Sequence, residues 1–330
     1  MKWVKNILPW AVAVGIFAYL FRIYEPHQIW AALSYVNLSI FVPFTFVYFL
    51  IVYFADIFVL STVFKRFGHN VSVKELIPVR GVTYLLMILN YAASQGAFAY
   101  YLKKTHKIPI AEALSTFFFV ALVDLYWIVT LAFIGSFFQN VIVEGYNVST
   151  LVKFLAVGAY GAFFVSHYFW NRPWRPIRWL RSKSLFKTFA EASLKDYLWI
   201  ASLRTPIHCT ILVAFYILIQ TFNAYIPFIK ILGNVPLVFL VGVLPITPGG
   251  LGTTNAAMVH LLAPHTSGPL FQMSGVTPAE LILAASLLWM FANYLFKIIT
   301  GMICLKKVSR DLFHVPEEGQ NLPSVDTLAP

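Results

Sequence analysis

Residues 244–258 read LPITPGGLGTTNAAM. Two prolines, three glycines, three threonines and an asparagine interrupt an apolar run without adding a charge. Proline lacks the N–H of the helical ladder, and glycine accepts positive φ. The stretch therefore predicts the end of one helix at TPGG and the start of another at LGTTNAAM. Thr253 or Thr254 is placed to cap the second helix. A helix start presents free N–H groups and a positive dipole end, which suits a phosphate or carboxylate. A tight turn with close backbone packing reads the same residues equally well.

The surroundings make the break unusual. Of 330 residues, 59% are hydrophobic, 17% aromatic and only 11% charged. Soluble domains carry about 25% charged residues. Apolar runs of membrane-spanning length recur, so the chain reads as an integral membrane protein. Six segments read as full spans: 7–23, 38–63, 112–138, 151–169, 197–220 and 279–304. Residues 77–101 and 228–264 are apolar but interrupted. The N-terminal run follows Lys2 and Lys5 and has no clear small-x-small cleavage site, so it reads as a retained helix. One membrane domain covers residues 1–305, and 306–330 read as a disordered cytoplasmic tail.

The net charge of +11 does not indicate nucleic acid, because the basic residues cluster in short loops. Basic loops are 65–76, 103–107 and 170–196, together with both termini, whereas 139–149, 221–227 and 265–278 hold no Lys or Arg. If all eight apolar segments crossed, basic loops would fall on both faces. Letting 77–101 enter and return from the cytoplasm, and 228–264 from outside, puts every basic loop and both termini inside. The expected fold is an all-α polytopic bundle: six spans plus two re-entrant broken segments in inverted repeat. Eight plain spans are the alternative. IPIAEAL (108–114) and VTPAELI (276–282) follow the two interrupted segments as a faint internal echo.

Between Trp170 and Asp196 lie Arg172, Arg175, Arg178, Arg181, Lys183, Lys187 and Lys195, against Glu191 and Asp196. With three tryptophans at headgroup-level positions, this segment reads as a basic interfacial helix on anionic lipid, or as a topology anchor.

Intramembrane polar residues are costly and mark candidate sites. The first interrupted segment offers Arg80, Asn90, Ser94, Gln95 and Gly96. The second offers Pro248, Gly249, Gly250, Gly252, Thr253, Thr254 and Asn255. Asp56 and Asp124 lie within spans, and Arg80 is a candidate partner for one of them. Lys297 shares a helix face with Asn293 and reads as a snorkelling side chain. No catalytic motif, metal-ligand set or cofactor loop is evident. His260 and His265 lack a third ligand nearby in sequence. His167 and His208 border apolar spans, where an enzyme acting on a lipid carrier could use them. Cys209 and Cys304 lie in separate apolar segments and imply no disulfide framework.

The TPGGLG stretch, with Arg80, Asn90, the break at 94–96, IPIAEALSTFF and Asp124, resembles a flippase-like membrane family. That family includes the transmembrane domain of lysyl-phosphatidylglycerol synthases. The resemblance spans about residues 1–305. It implies an inner-membrane protein of bacteria that moves a lipid or lipid-linked substrate through re-entrant elements. Its partners would be membrane lipids, either anionic phospholipid or a lipid-linked glycan. A non-transporting subunit beside a partner enzyme is the remaining alternative. Four positions depart from the family pattern. Asn255 stands where a Glu is common, Val120 and Ala121 replace an acidic-basic pair, and Tyr100 replaces an Arg. The expected site is therefore a neutral notch built from residues 90–96 and 248–255.

Overall fold

A computed structural model describes residues 2–138, 140, 142, 143, 145–244 and 246–313. Pro245 and the tail from 314 to 330 lie outside the described residues. Helices α1 (Lys2–Ile23) and α2 (Pro26–Ser34) lead into α3 (Leu38–Arg66). Next come α4 (Val73–Leu89), α5 (Tyr91–His106), α6 (Ile110–Gly135) and a small hairpin, β1 (Ile142–Val143) with β2 (Tyr146–Asn147). Helix α7 (Val148–Trp170) is followed by short α8 (Arg175–Arg181) and α9 (Lys187–Glu191), then by α10 (Leu194–Gln220). The chain closes with α11 (Phe228–Val243), α12 (Thr253–Leu262), α13 (Leu270–Met273) and α14 (Pro278–Phe313).

Among the described residues, α3, α6, α7, α10 and α14 are long and apolar enough to cross a membrane. The first predicted span is not a plain one. Leu8–Ile23 and Pro26–Ser34 form a pair bent by 82°. The fixed φ of Pro26 at the start of α2 suits a new helix there. Helix α14 runs on to Phe313, so residues 306–313 are helical rather than part of a disordered tail.

Side-chain contacts fix the two ends of the bundle. Arg66 at the end of α3 pairs with Asp196 at the start of α10 at 2.8 Å. His69 meets Glu112 at 3.2 Å, and Tyr101 donates to Asp311 at 3.1 Å. These contacts gather loops 65–76, 103–112 and 170–196 at one basic end. The 27 residues of α10 then carry the chain about 40 Å to the other end. There the amide of Asn37, ahead of α3, donates to the carbonyl of Thr221 at 2.7 Å.

Both interrupted segments turn back. Ser94 Oγ donates to the Thr83 carbonyl at 2.7 Å. In one straight helix, residues eleven apart would stand about 16 Å apart. His69, just before α4, touches Glu112, just after α5, so that pair enters and leaves at the basic end. At the opposite end Tyr225 and Ser267 exchange backbone hydrogen bonds of 2.7 and 2.9 Å, which brackets α11 and α12 in the same way. The eight-span alternative is excluded by these two contacts.

The inverted halves interlock. Helix α4 packs on α14, the span that follows the second pair, and α11 packs on α6, the span that follows the first. Glycines permit both approaches. A Cβ on Gly135 would lie 2.5 Å from the Cα of Gly233, and one on Gly301 would lie 3.0 Å from the Gly81 carbonyl oxygen.

Local signals act as expected at the start of α4. Ser72 accepts from the amide of Glu75, and Glu75 accepts from the amide of Ser72 at 2.8 Å, forming a capping box. Replacing Ser72 with Ala is expected to cost about 1 kcal/mol. Thermal unfolding of purified protein would measure the loss.

Candidate functional site

Two apolar cores divide the bundle. One joins the basic halves of α3, α4, α5 and α6, from Phe49 to Val123. The other joins α2, the far half of α10, α11, α12 and the start of α14. On α6 the seam between them falls between Val123 and Ala132, and on α10 between Ile200 and Leu212. Asp124, Arg204 and His208 occupy that seam. Asp56 reaches it from α3, and Arg80 from the first broken pair.

These side chains form one chain of bonds. Arg80 Nε donates to Asp56 Oδ2 at 2.8 Å, and its Nη2 lies 2.7 Å from the same oxygen. Arg204 Nη1 donates to Asp56 Oδ1 at 2.7 Å. Its Nε and Nη2 grip the two oxygens of Asp124 at 2.6 and 2.5 Å. His208 Nε2 sits 3.2 Å from Asp124 Oδ1. Asp56 is 7% exposed, and Arg80, Arg204 and His208 are each 8% exposed. Buried charges are tolerated when paired and hydrogen-bonded in this way. The guanidinium of Arg80 also stacks 5.0 Å from the Tyr84 ring, while its Nη1 has no hydrogen-bond partner among the described residues.

The network borders a cavity of about 360 Å³. Both broken pairs line it, through Arg80, Tyr91 and Gln95 on one side and Pro236 and Phe239 on the other. Lys297 enters it from α14. The expectation that Lys297 snorkels to the surface is corrected here. Its ammonium lies 5.5 Å from the Tyr84 ring and 5.8 Å from that of Tyr294, beside Asn293 in the cavity wall. Among the described residues no carboxylate pairs with it. The cavity thus sets three basic side chains, Arg80, Arg204 and Lys297, against two acidic ones, Asp56 and Asp124. It carries one positive charge in excess before His208 is counted.

The TPGG turn lies elsewhere. Its groups bond to one another: Thr247 and Thr253 hydroxyls at 3.1 Å, and the Thr253 and Thr254 hydroxyls to the Gly250 carbonyl at 3.1 and 2.7 Å. Asn255 accepts from the Gly252 amide at 3.1 Å and donates to Ser286 at 2.9 Å. Pro248, Gly249 and Gly250 form a single 3₁₀ turn that packs on α4. None of residues 247–255 lines the cavity. In the first break, Asn90 caps α5 by accepting from Ala93 at 2.9 Å, and Ser94 is spent on Thr83. Gly96 has open space around it, and Gln95 alone of residues 90–96 joins Tyr91 in the cavity wall.

The basic segment is not one amphipathic helix. A 3₁₀ turn at Ser184–Phe186 separates α8 from α9, so Lys183, Lys187, Glu191 and Lys195, four residues apart in turn, do not line one helix. Arg181 donates to the carbonyls of Trp170 and Ala190, and Lys187 pairs with Glu112 at 2.8 Å. Those two fasten the segment to itself and to α6. Arg172, Arg175, Arg178 and Lys183 remain exposed. Arg172 packs on Tyr168, Arg178 donates to the Pro173 carbonyl, and Lys183 packs on Trp179. Burial pushes His69 below the usual imidazole range, and Lys187 adds to this against the pull of Glu112.

Arg204 is the functional residue that the sequence reading passed over. The sign of it was present. Two intramembrane aspartates, with one arginine assigned to them, leave a buried carboxylate unbalanced, and ASLRTPIHC (201–209) holds the missing cation within a span. His167 does not join the network. It lies against Phe163 and Asn171 at the end of α7.

The family model described as the lysylphosphatidylglycerol synthase TM region matches residues 6–301. No curated protein and no solved structure matches the chain.

Proposed function

Since the chain belongs to the family of the lysylphosphatidylglycerol synthase transmembrane region, we propose that it is a flippase-like transporter whose charged cavity takes an anionic lipid headgroup. The observation that carries this reading is the excess cation, Lys297, in a cavity shared by both broken pairs. A phosphate there gains charge-assisted hydrogen bonds from donors already held in place. The acyl chains would stay in lipid, as the apolar exterior of the bundle allows. By the positive-inside rule the basic end faces the cytoplasm of a bacterial inner membrane. The exposed Arg172, Arg175, Arg178 and Lys183 would gather anionic lipid beside it. The TPGG turn, closed on itself, would hold the second broken pair in shape while α11 forms the cavity wall.

Phosphatidylglycerol and a polyprenyl-phosphate-linked sugar share the phosphate chemistry. Reconstitution with each as a labelled lipid distinguishes them. Lys297→Met is expected to cut transport of the preferred lipid about tenfold or more, the loss of one charge-assisted bond. If neither lipid crosses faster than in empty vesicles, the transporter reading fails. Binding without movement would favour a non-transporting subunit. The His208–Asp124 pair is the one feature an enzyme reading could use, and chemical change of the added lipid would reveal it.

A further inference from the structure

His208 stands at the end of the charge network with one ring nitrogen already committed. A carboxylate only accepts, so the neutral imidazole donates from Nε2 to Asp124 Oδ1. Nδ1 then carries a lone pair, and it makes no hydrogen bond among the described residues. The indole of Trp127 holds the ring in place: its centroid is 5.9 Å from that of His208, and its Nε1 is fixed to the Ala201 carbonyl at 2.6 Å. Imidazole is also the side chain whose ordinary change of charge falls between about pH 5 and 8.

The other groups around the cavity do not ordinarily titrate there. Asp56 and Tyr48 face it from α3, Arg80 and Tyr84 from α4, and Tyr91 from α5. Asp124 faces it from α6, Arg204 shares α10 with His208, and Lys297 comes from α14. Helix α11 contributes Val235, Pro236 and Phe239 to the wall, none of which titrates. Both carboxylates are held by arginines.

We propose that an anion in the cavity and a proton on His208 stabilise each other, so that the headgroup and one proton occupy the site together. This rests on the cavity being the headgroup site. A lone pair at Nδ1 repels a phosphate oxygen, whereas an N–H at the same place donates to it. Linkage makes the effect reciprocal: if the proton improves anion binding, the anion draws in a proton by the same factor. Bound this way, an anionic headgroup crosses as a proton–anion pair, and a proton gradient can drive it.

The test uses the purified full chain in a neutral detergent, with glycerophosphoglycerol as probe. That phosphodiester keeps a single negative charge over the range examined. Wild-type affinity should rise as pH falls from about 7.5 to 5.5, by up to about tenfold per unit at the steepest point. In weakly buffered solution the same binding should take up protons, approaching one per site. His208→Gln should bind with no pH slope, whatever its absolute affinity. Wild-type binding that is flat with pH, or occurs without proton uptake, overturns the proton linkage and leaves the headgroup site standing. A slope retained in His208→Gln overturns it too. No binding at any pH overturns both. The proton-uptake measurement on wild type decides the matter if the variant does not fold.

Discussion

Arg204→Leu should destabilise the protein by about 3–5 kcal/mol, the usual cost of removing one partner from a buried ion pair. The reason lies in how many acceptors this one guanidinium serves. It bridges Asp56 and Asp124 with three nitrogens, at 2.5 to 2.7 Å. Without it, Asp56 Oδ1 is left bare and Asp124 keeps only the longer bond to His208. A lysine in its place could hold one carboxylate as a point charge but could not fork across two. Arg204→Lys should therefore recover only part of the loss. The double variant Asp124→Leu/Arg204→Leu should be more stable than Arg204→Leu alone, because the unpaired carboxylate goes with the cation. Thermal unfolding of Arg204→Leu, of Asp124→Leu and of the double gives the coupling energy. Additive losses would show that the pair is not a unit. Transport should fall in all three, since each removes at least one charged side chain from the cavity wall.

Much of the architecture was legible because bilayers impose strong rules. Basic residues in loops 65–76, 103–107 and 170–196 could share one end only if two apolar segments turned back. The contacts of His69 with Glu112 and of Tyr225 with Ser267 are the physical form of that inference. The second break was legible because TPGG opposes helix in plain chemical terms, whereas the first, expected at 94–96, falls at Asn90, with residues 94–96 inside α5. The site was less legible, because it depends on which spans lie side by side. Asp56 and Arg80 are 24 residues apart, but Arg204 meets Asp56 across 148. Residue type and spacing do not report such a distance. The departures at Val120, Ala121 and Tyr100 suggested a weakly charged interior, yet Arg204 and Lys297 bring charge to the same cavity from α10 and α14. The neutral polar groups of residues 247–255 were read as facing a ligand. In the fold they bond to one another.

Gly250→Leu puts that opening stretch to the test, and about 2–5 kcal/mol of stability should be lost. Two costs combine. Gly250 has φ of +76°, in the left-handed region where an L side chain costs about 1–2 kcal/mol. A Cβ there would also lie 2.9 Å from the Thr254 methyl and 3.3 Å from the Gly242 Cα, and overpacking adds about 1–3 kcal/mol. The turn cannot shift freely to relieve the clash, because the Gly250 carbonyl accepts from both Thr253 and Thr254. Asn255→Ala should cost less, about 1–3 kcal/mol, by stranding the buried Gly252 amide and leaving the Ser286 hydroxyl oxygen without its donor. The two variants separate a structural turn from a binding notch. If the turn only shapes the second broken pair, Asn255→Ala should lower stability while the folded fraction binds an anionic headgroup with wild-type affinity. If the turn holds the headgroup itself, affinity should fall well beyond the stability loss, and the cavity at Arg204 and Lys297 would then not be the place where the headgroup rests.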